Sequence, residues 1–469
     1  MVSLKKELKK PKTKIIATIG PASSKKTILK KILKYASILR INLAHGSRED
    51  REKLIELINK VSEEENRNIS ILADLPGPKM RIGKIEEPIS LKRGEKIILY
   101  VENEKDNISE ETRIPVEFKD FTKIVKKNSY VYLCDGTIKL KVNEVRKNEV
   151  VCTVLCGGVV TSRRGINVPG AINVSIPTEQ DKKLLKELEG KVDAIGISFV
   201  GCREDVERVR KLTDAFLIAK IERDVAVKNI NGILKAADGI MIARGDLGVE
   251  IPIQEVAVVQ KKLIMKANLA SKPVITATQM LESMTEDVRP TRAEVTDVAN
   301  AILDGSDALM LSEETAVGKY PVEAVETMAA IAKLTEKYRN ELSENRVLNL
   351  IKSSCKNTVD AITLSIVQTM NCIDIDYIIA RTRSGKTARH ISRFKPQCWI
   401  FAFTTNEKVR KNLNFSYGVI AFNLKDRDDK TIVDYLRNEG ISGKVILTEE
   451  SRIDEKVRIG TNTIKILDI

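Results

Sequence analysis

Histidine is almost missing from this chain: among 469 residues only His45 and His390 occur. That nearly removes histidine-based metal sites and leaves the chemistry to Lys, Arg, Asp, Glu and Thr. Aromatic residues are scarce, 4% of the chain against 42% hydrophobic, so Ile, Val, Leu and Ala must fill the cores. The seven cysteines (Cys134, Cys152, Cys156, Cys202, Cys355, Cys372 and Cys398) are odd in number and form no C-x-x-C, which argues against a disulfide framework and against a zinc site. No apolar run approaches the ~20 residues of a membrane helix. The segment Met1 to Lys14 is lysine-rich without an apolar centre, unlike a secretory signal. No membrane partner and a cytoplasmic location are expected.

Positive charge is plentiful, with a formal net charge of +14. The lysines are spread along the chain rather than clustered with aromatics, so no nucleic-acid partner is expected. A basic field would still attract small polyanionic substrates. The abundance of Lys, Glu and Ile with little Gln fits a thermophile, although an AT-rich genome gives the same bias.

The length suggests about three domains at roughly 150 residues each. Strands are predicted at Lys14–Gly20, Ser37–Ala44 and Ile69–Leu75, with helices at about Ser23–Lys34 and Arg48–Asn66 between them. From about Lys79 to Asn167 the alternation stops. Short strands at Glu95–Val101, Tyr130–Cys134, Thr137–Val142 and Val150–Leu155, with a hairpin turn at Asp135-Gly136, suggest an all-β insertion. Alternation then resumes, with strands at Ala194–Val200, Phe216–Glu222, Gly239–Arg244, Pro273–Gln279 and Ala308–Glu313, closed by a helix from Pro321 to about Ser343. Three strands before the insertion and five after it predict a (β/α)8 barrel over 1–78 and 168–344, carrying a β lid over 79–167. A separate α/β unit is expected over 345–469, with a helix Ser353–Met370 and strands Asp376–Arg381, Trp399–Phe403, Val419–Asn423, Lys444–Thr448 and Thr463–Leu467.

In such a barrel the strand ends converge on one face, where chemistry gathers. Glu222 and Asp246 end the fifth and sixth strands, and two oxygen donors suit Mg²⁺, which keeps several waters. The bland alternative is a pair of surface carboxylates. It loses ground because Lys220 lies two residues before Glu222, on the same side of the strand. Arg40, Arg81 and Lys220 are candidates to meet a phosphoryl group, since the planar guanidinium donates two hydrogen bonds to one phosphate. The turn Ala243-Arg244-Gly245-Asp246-Leu247-Gly248 opens a helix whose free amides would hold an anion such as a carboxylate. Ala380–Thr387 is almost a P-loop, but Ala380 stands at the first glycine, so Thr382, Ser384, Gly385, Lys386 and Thr387 are read either as a phosphate-binding regulatory loop or as a plain helix cap.

These segments together resemble pyruvate kinase. The similarity runs from about Lys12 to the C-terminus and rests on Arg40–Gly46 (RINLAHG), Asp74–Gly83 (DLPGPKMRIG), Lys220–Glu222 (KIE), Asp238–Pro252 (DGIMIARGDLGVEIP), Lys272–Met284 (KPVITATQMLESM) and Arg289–Asn300 (RPTRAEVTDVAN). The resemblance implies phosphoryl transfer from phosphoenolpyruvate to ADP, giving pyruvate and ATP, with Mg²⁺ or Mn²⁺ as cofactor and a homotetramer as the assembly. It implies that Lys220 contacts the transferring phosphoryl and the enolate oxygen, that Glu222 and Asp246 bind the metal, and that the Gly245 and Asp246 amides hold the substrate carboxylate. Arg40 would bind phosphate, and Thr278 would sit by the enolate carbon. Asn42, His45, Arg81, Asp135, Arg163 and Arg164 would face the nucleotide, and a phosphorylated effector would bind the C-terminal domain.

One departure is informative. Most family members hold K⁺ beside the phosphate with Asn, Ser, Asp, a Thr carbonyl and a nearby glutamate. Here Asn42 and Asp74 match, but Ala44 replaces the serine, Leu75 the threonine and Lys79 the glutamate. The expectation is that the Lys79 ammonium replaces K⁺, so that K⁺ is not required; the alternative is a Lys79 pointing to solvent at the lid hinge. Glu313, where a glycine is frequent, implies no change of function. Two other readings compete: a different metal-dependent barrel enzyme of enolpyruvate chemistry, such as an aldolase, and a non-catalytic basic binding protein on the same fold.

Overall fold

Runs of Ile, Val, Leu and Ala too short for helices and buried on both faces build the central sheet. In the computed structural model, which describes residues 4–101, 111–134, 136–170, 175–342, 346–355, 357–425, 428–454 and 457–469, eight parallel strands close into a barrel. They are β1 (Lys14–Thr18), β2 (Ile38–Asn42), β3 (Ser70–Asp74), β4 (Ala194–Ile197), β5 (Phe216–Ile221), β6 (Gly239–Ala243), β7 (Val274–Ala277) and β8 (Ala308–Leu311). Each pairs with its neighbour in sequence, and β8 pairs back onto β1 with Lys14 opposite Ala308. The strands occur where the alternation predicts them, three before the inserted sheets and five after.

Between β3 and β4 the chain forms a seven-stranded sheet and a two-stranded sheet. The strands at Lys96–Val101, Tyr130–Leu133, Ile138–Val145 and Glu149–Cys156 match the expected ones. Strands at Met80–Arg81, Ile89–Leu91, Thr112–Val116, Gly158–Val160 and Gly165–Asn167 were not foreseen. Four of them are too short to show a period, and the fifth carries Pro115 at the edge of its sheet, where a strand tolerates proline.

The C-terminal sheet has five strands. Val419–Asn423, Trp399–Thr404, Tyr377–Arg381 and Lys444–Asp454 run parallel, and Val457–Asp468 pairs antiparallel with the last of these. The final hairpin is longer than its apolar residues alone suggest. The single helix expected at Ser353–Met370 is two, Arg346–Ser354 and Thr358–Cys372, because Asn357 caps the second by accepting from the Asp360 amide.

The C-terminal unit closes the N-terminal end of the barrel. Phe415 packs inside the barrel with Ile16, Leu72 and Met241 and stacks on Phe216. Lys14 Nζ donates to the Val419 carbonyl at 2.6 Å, and Lys395 pairs with Asp307 at 2.6 Å. Chemistry is thereby left to the opposite end, where β1–β8 finish. Among the described residues no helix is long and apolar enough to cross a membrane.

Candidate active site

Lys220 is the penultimate residue of β5 and Glu222 follows the strand, so strand alternation turns both toward the barrel mouth. Lys220 Nζ lies 2.8 Å from Glu222 Oε1 and 3.3 Å from Asp74 Oδ2, and donates to Ser198 Oγ at 2.8 Å. Arg40, on β2, donates to the same Asp74 oxygen from Nε at 3.0 Å and from Nη2 at 2.5 Å, and from Nη1 to Thr18 Oγ1 at 3.1 Å. Asp74 and Glu222 are each 1% exposed. Two cations thus share one carboxylate oxygen. Its twin, Asp74 Oδ1, has no hydrogen-bond partner and lies against Gly196, where a Cβ would stand 2.5 Å away. Only glycine at 196 leaves room for this buried carboxylate.

Burial alone would raise the Asp74 carboxyl, but Lys220 and Arg40 overcome it and hold Asp74 below the usual carboxylate range. Burial also works against a charged Lys220, yet Asp74 and Glu222 keep it protonated well above the ordinary lysine range. Glu222 goes the other way. Burial and the nearby Asp246 push it up, against Lys220 and the Phe199 amide that donates to Oε2 at 2.7 Å.

Asp246 lies on the short helix Arg244–Glu250 that follows β6. Among the described residues no group of three or more His, Cys, Asp or Glu gathers to hold a metal. The donor set on offer is therefore two carboxylates, Glu222 and Asp246. Two oxygens suit a divalent ion that retains several waters, and a cation there would relieve the repulsion that raises Glu222. The donor set fits Mg²⁺ or Mn²⁺. Lys79, at the entry to the lid, places Nζ 3.4 Å from Asp246 Oδ1. Its ion-pair partner is this carboxylate, not Asp74, and the side chain is 27% exposed rather than turned freely to solvent.

Thr278 follows β7 with φ 66°, a left-handed conformation costly for a β-branched residue, and Gln279 repeats it with φ 53°. Arg244 braces the turn. Its Nη2 donates to the carbonyls of Thr278 at 2.8 Å and Gln279 at 3.1 Å, while its Nη1 pairs with Asp297. The Gly245 amide, expected free, donates to Thr278 Oγ1 at 2.8 Å, because the helix start and the β7 turn abut.

The remaining candidates spread outward. Asn42 Oδ1 accepts from the Ala44 amide at 3.2 Å, and His45 is exposed beside it. Arg81 does not join Arg40 and Lys220: it donates to the Arg163 carbonyl at 2.9 Å, because strand Met80–Arg81 pairs with Gly165–Asn167 at the lid root. The Arg164 carbonyl accepts from the Ile82 amide. Asp135 lies outside the described residues. In the C-terminal unit, Thr382 Oγ1 accepts from the Gly385 amide at 3.0 Å and the helix Lys386–Ser392 begins there; Thr382 and Thr387 are buried, Ser384 and Lys386 exposed. Sequence reasoning missed Ser198, Thr18 and the bracing role of Arg244. Each stands at or just beyond the C-terminal end of a barrel strand, so the rule that found Glu222 would have found them.

Comparison with known proteins agrees with this geometry. Residues 10–325 match the family model described as pyruvate kinase, barrel domain, and residues 360–467 match pyruvate kinase, alpha/beta domain. The pyruvate kinase of Thermococcus litoralis is 52% identical, covering 99% of this chain and 100% of its own. That of Geobacillus stearothermophilus is 42% identical over 87% of this chain and 71% of its own, and that of Clostridium perfringens 39% identical over 87% and 88%. With both domains matched and the whole length of one relative covered, this chain belongs to the pyruvate kinase family.

Proposed function

We propose that the barrel mouth transfers the phosphoryl group of phosphoenolpyruvate to ADP with the help of Mg²⁺, and does so without K⁺. The observation that carries this reading is the convergence of Lys220, Arg40, Asp74 and Glu222 at the ends of the strands. In the reaction the bond between phosphorus and the enol oxygen breaks, a terminal ADP oxygen bonds to phosphorus, and the resulting enolate takes a proton on carbon. Such transfer needs positioning and charge neutralisation more than covalent help.

Lys220, held protonated, places positive charge where the enolate oxygen and the moving phosphoryl become negative. Arg40 offers its fork to phosphate oxygens by exchanging Asp74 for substrate. A divalent ion held by Glu222 and Asp246 would supply further positive charge to the same oxygens. The Asp246 amide, joined by the Gly245 amide once it exchanges Thr278 Oγ1 for substrate, would orient the substrate carboxylate, and the freed Thr278 hydroxyl would serve the proton that reaches the enolate carbon. Asn42, His45, Arg81, Arg163, Arg164 and Asp135 are assigned to the nucleotide.

For K⁺ the support is chemical. Ala44 has no side-chain oxygen to offer, and Lys79 brings a fixed cation into the mouth at Asp246. We further propose a cytoplasmic homotetramer with a barrel over 1–78 and 168–344, a lid over 79–167 and a C-terminal domain over 345–469 whose loop Thr382–Thr387 takes a phosphorylated effector. The initial rate of pyruvate formation with Mg²⁺, and again with excess EDTA, tests the reaction: turnover that needs both ADP and the metal is expected, and metal-independent turnover would reject the site as drawn.

A further inference from the structure

At the opposite end of the barrel a cavity of about 910 Å³ opens between the N-terminal segment, the helix Pro321–Leu342 and the C-terminal sheet. Eight Lys or Arg side chains line it against two Glu. Neither carboxylate is available to the whole set. Glu336 accepts from the amides of Lys12 and Thr13 at 2.9 and 2.6 Å, and Glu65 pairs with Lys30 at 3.0 Å and, more distantly, with Lys6. Two lining cations, Lys10 and Arg67, are buried on Glu7, each at 3.1 Å. That leaves Lys9, Lys12, Lys34, Lys333 and Lys337 around one concavity, with no ion pair to a carboxylate among the described residues.

Lysines without a carboxylate partner among the described residues, such as Lys31, Lys60 and Lys235, occur elsewhere on the surface, but here five of them line one concavity, whereas others do find a partner. Lys26, Lys191, Lys228, Lys319 and Lys408 each meet a carboxylate. Like charges gathered around a concave, partly walled site repel one another and focus a positive potential into it. The volume is that of a small-molecule site. One wall is Trp399, the sole tryptophan of the chain, and Lys12 lies 5.5 Å from the centre of its ring.

We propose that this cavity binds a small polyphosphorylated molecule. Lysine ammonium groups are point-charge donors to phosphate oxygens, and several phosphoryl groups are needed to satisfy five of them. The site cannot be the substrate site. Lys12 precedes β1, Lys34 and Tyr35 precede β2, and Trp399 opens its strand, so the cavity belongs to the end where the barrel strands begin. Because barrel and C-terminal residues both line it, an occupant ties the two units together.

The lone tryptophan makes the test direct. Inorganic tripolyphosphate is titrated into the full-length protein in EDTA while Trp399 fluorescence is followed, with NaCl matched for ionic strength as the control. A saturable change is expected, weakened at least tenfold in the triple variant Lys9→Gln, Lys333→Gln, Lys337→Gln, whose exposed side chains are not needed for folding, and kept in Lys220→Met and Lys386→Gln. No saturable change, a change reproduced by NaCl, or one lost in Lys220→Met or Lys386→Gln rather than in the triple variant would overturn the proposal.

Discussion

The two ends of this barrel treat charge in opposite ways. At the mouth the central cations are tied to carboxylates: Arg40 and Lys220 to Asp74, Lys220 to Glu222, Lys79 to Asp246. Under the proposed function these pairs would exchange partners, because a phosphate or a divalent ion would offer the same charges a better fit. At the base, Lys395 on Asp307 and Lys14 on a backbone carbonyl are buried and join barrel to C-terminal unit. The mouth arranges charge for chemistry and the base arranges it for cohesion, the division expected of this architecture. The cavity at the base breaks the pattern, since five of its lysines have no ion pair to a carboxylate among the described residues.

Lys220→Met breaks the mouth most severely. The turnover number should fall by about 10³-fold, roughly 4 kcal/mol of transition-state stabilisation, with a much smaller change in KM. Steady-state kinetics decides it, and a variant within tenfold of the parent would remove Lys220 from the reaction. Asp307→Asn is the matching change at the base. It leaves buried Lys395 without its counter-charge, which costs about 3 kcal/mol. Denaturant unfolding should show that loss while the turnover number of the folded enzyme stays within about twofold. Unaltered stability would mean the pair does not hold the units together.

The smallest effect is one of pH. Burial pushes Glu250, near the mouth, up to about 7 from 4.5, against the pull of Arg223 and the amides of Gly170 and Asp224. The folded state then keeps a proton that the unfolded chain has lost. The stability this group adds is full below pH 4.5 and fades as pH rises to about 7. At the base the sign reverses. Burial pushes Lys14 and Lys395 down to about 8 from 10.5, so their contribution improves as pH climbs from about 8 to 10.5. Melting curves across pH for the parent and Glu250→Gln should differ on the order of 2 kcal/mol at neutral pH and converge in acid. Curves that stay parallel would show that Glu250 is ionised normally.

Much of this architecture is legible in the sequence. The barrel strands announce themselves as aliphatic runs alternating with helices, and a period of two is enough to put Lys220 and Glu222 on one side of β5. The short lid strands could not be read this way, because two or three residues carry no period. Nor could pairs that join distant turns, such as Lys79 with Asp246 or the Gly245 amide with Thr278. Those depend on how loops from different strands lean together over the mouth, which local pattern does not encode. Arg81 illustrates the limit. Its residue type suits phosphate, but its place on a lid strand ties it to the Arg163 carbonyl.

The most direct measurement is the initial rate of pyruvate formation from phosphoenolpyruvate and ADP with Mg²⁺, in Na⁺-free buffer, as K⁺ is raised from zero, for the parent and for Lys79→Glu. A flat, active profile is expected for the parent, and the Lys79→Glu variant should lose most of its activity when K⁺ is absent. A parent active only with K⁺, or a Lys79→Glu variant fully active without it, would contradict the role given to Lys79.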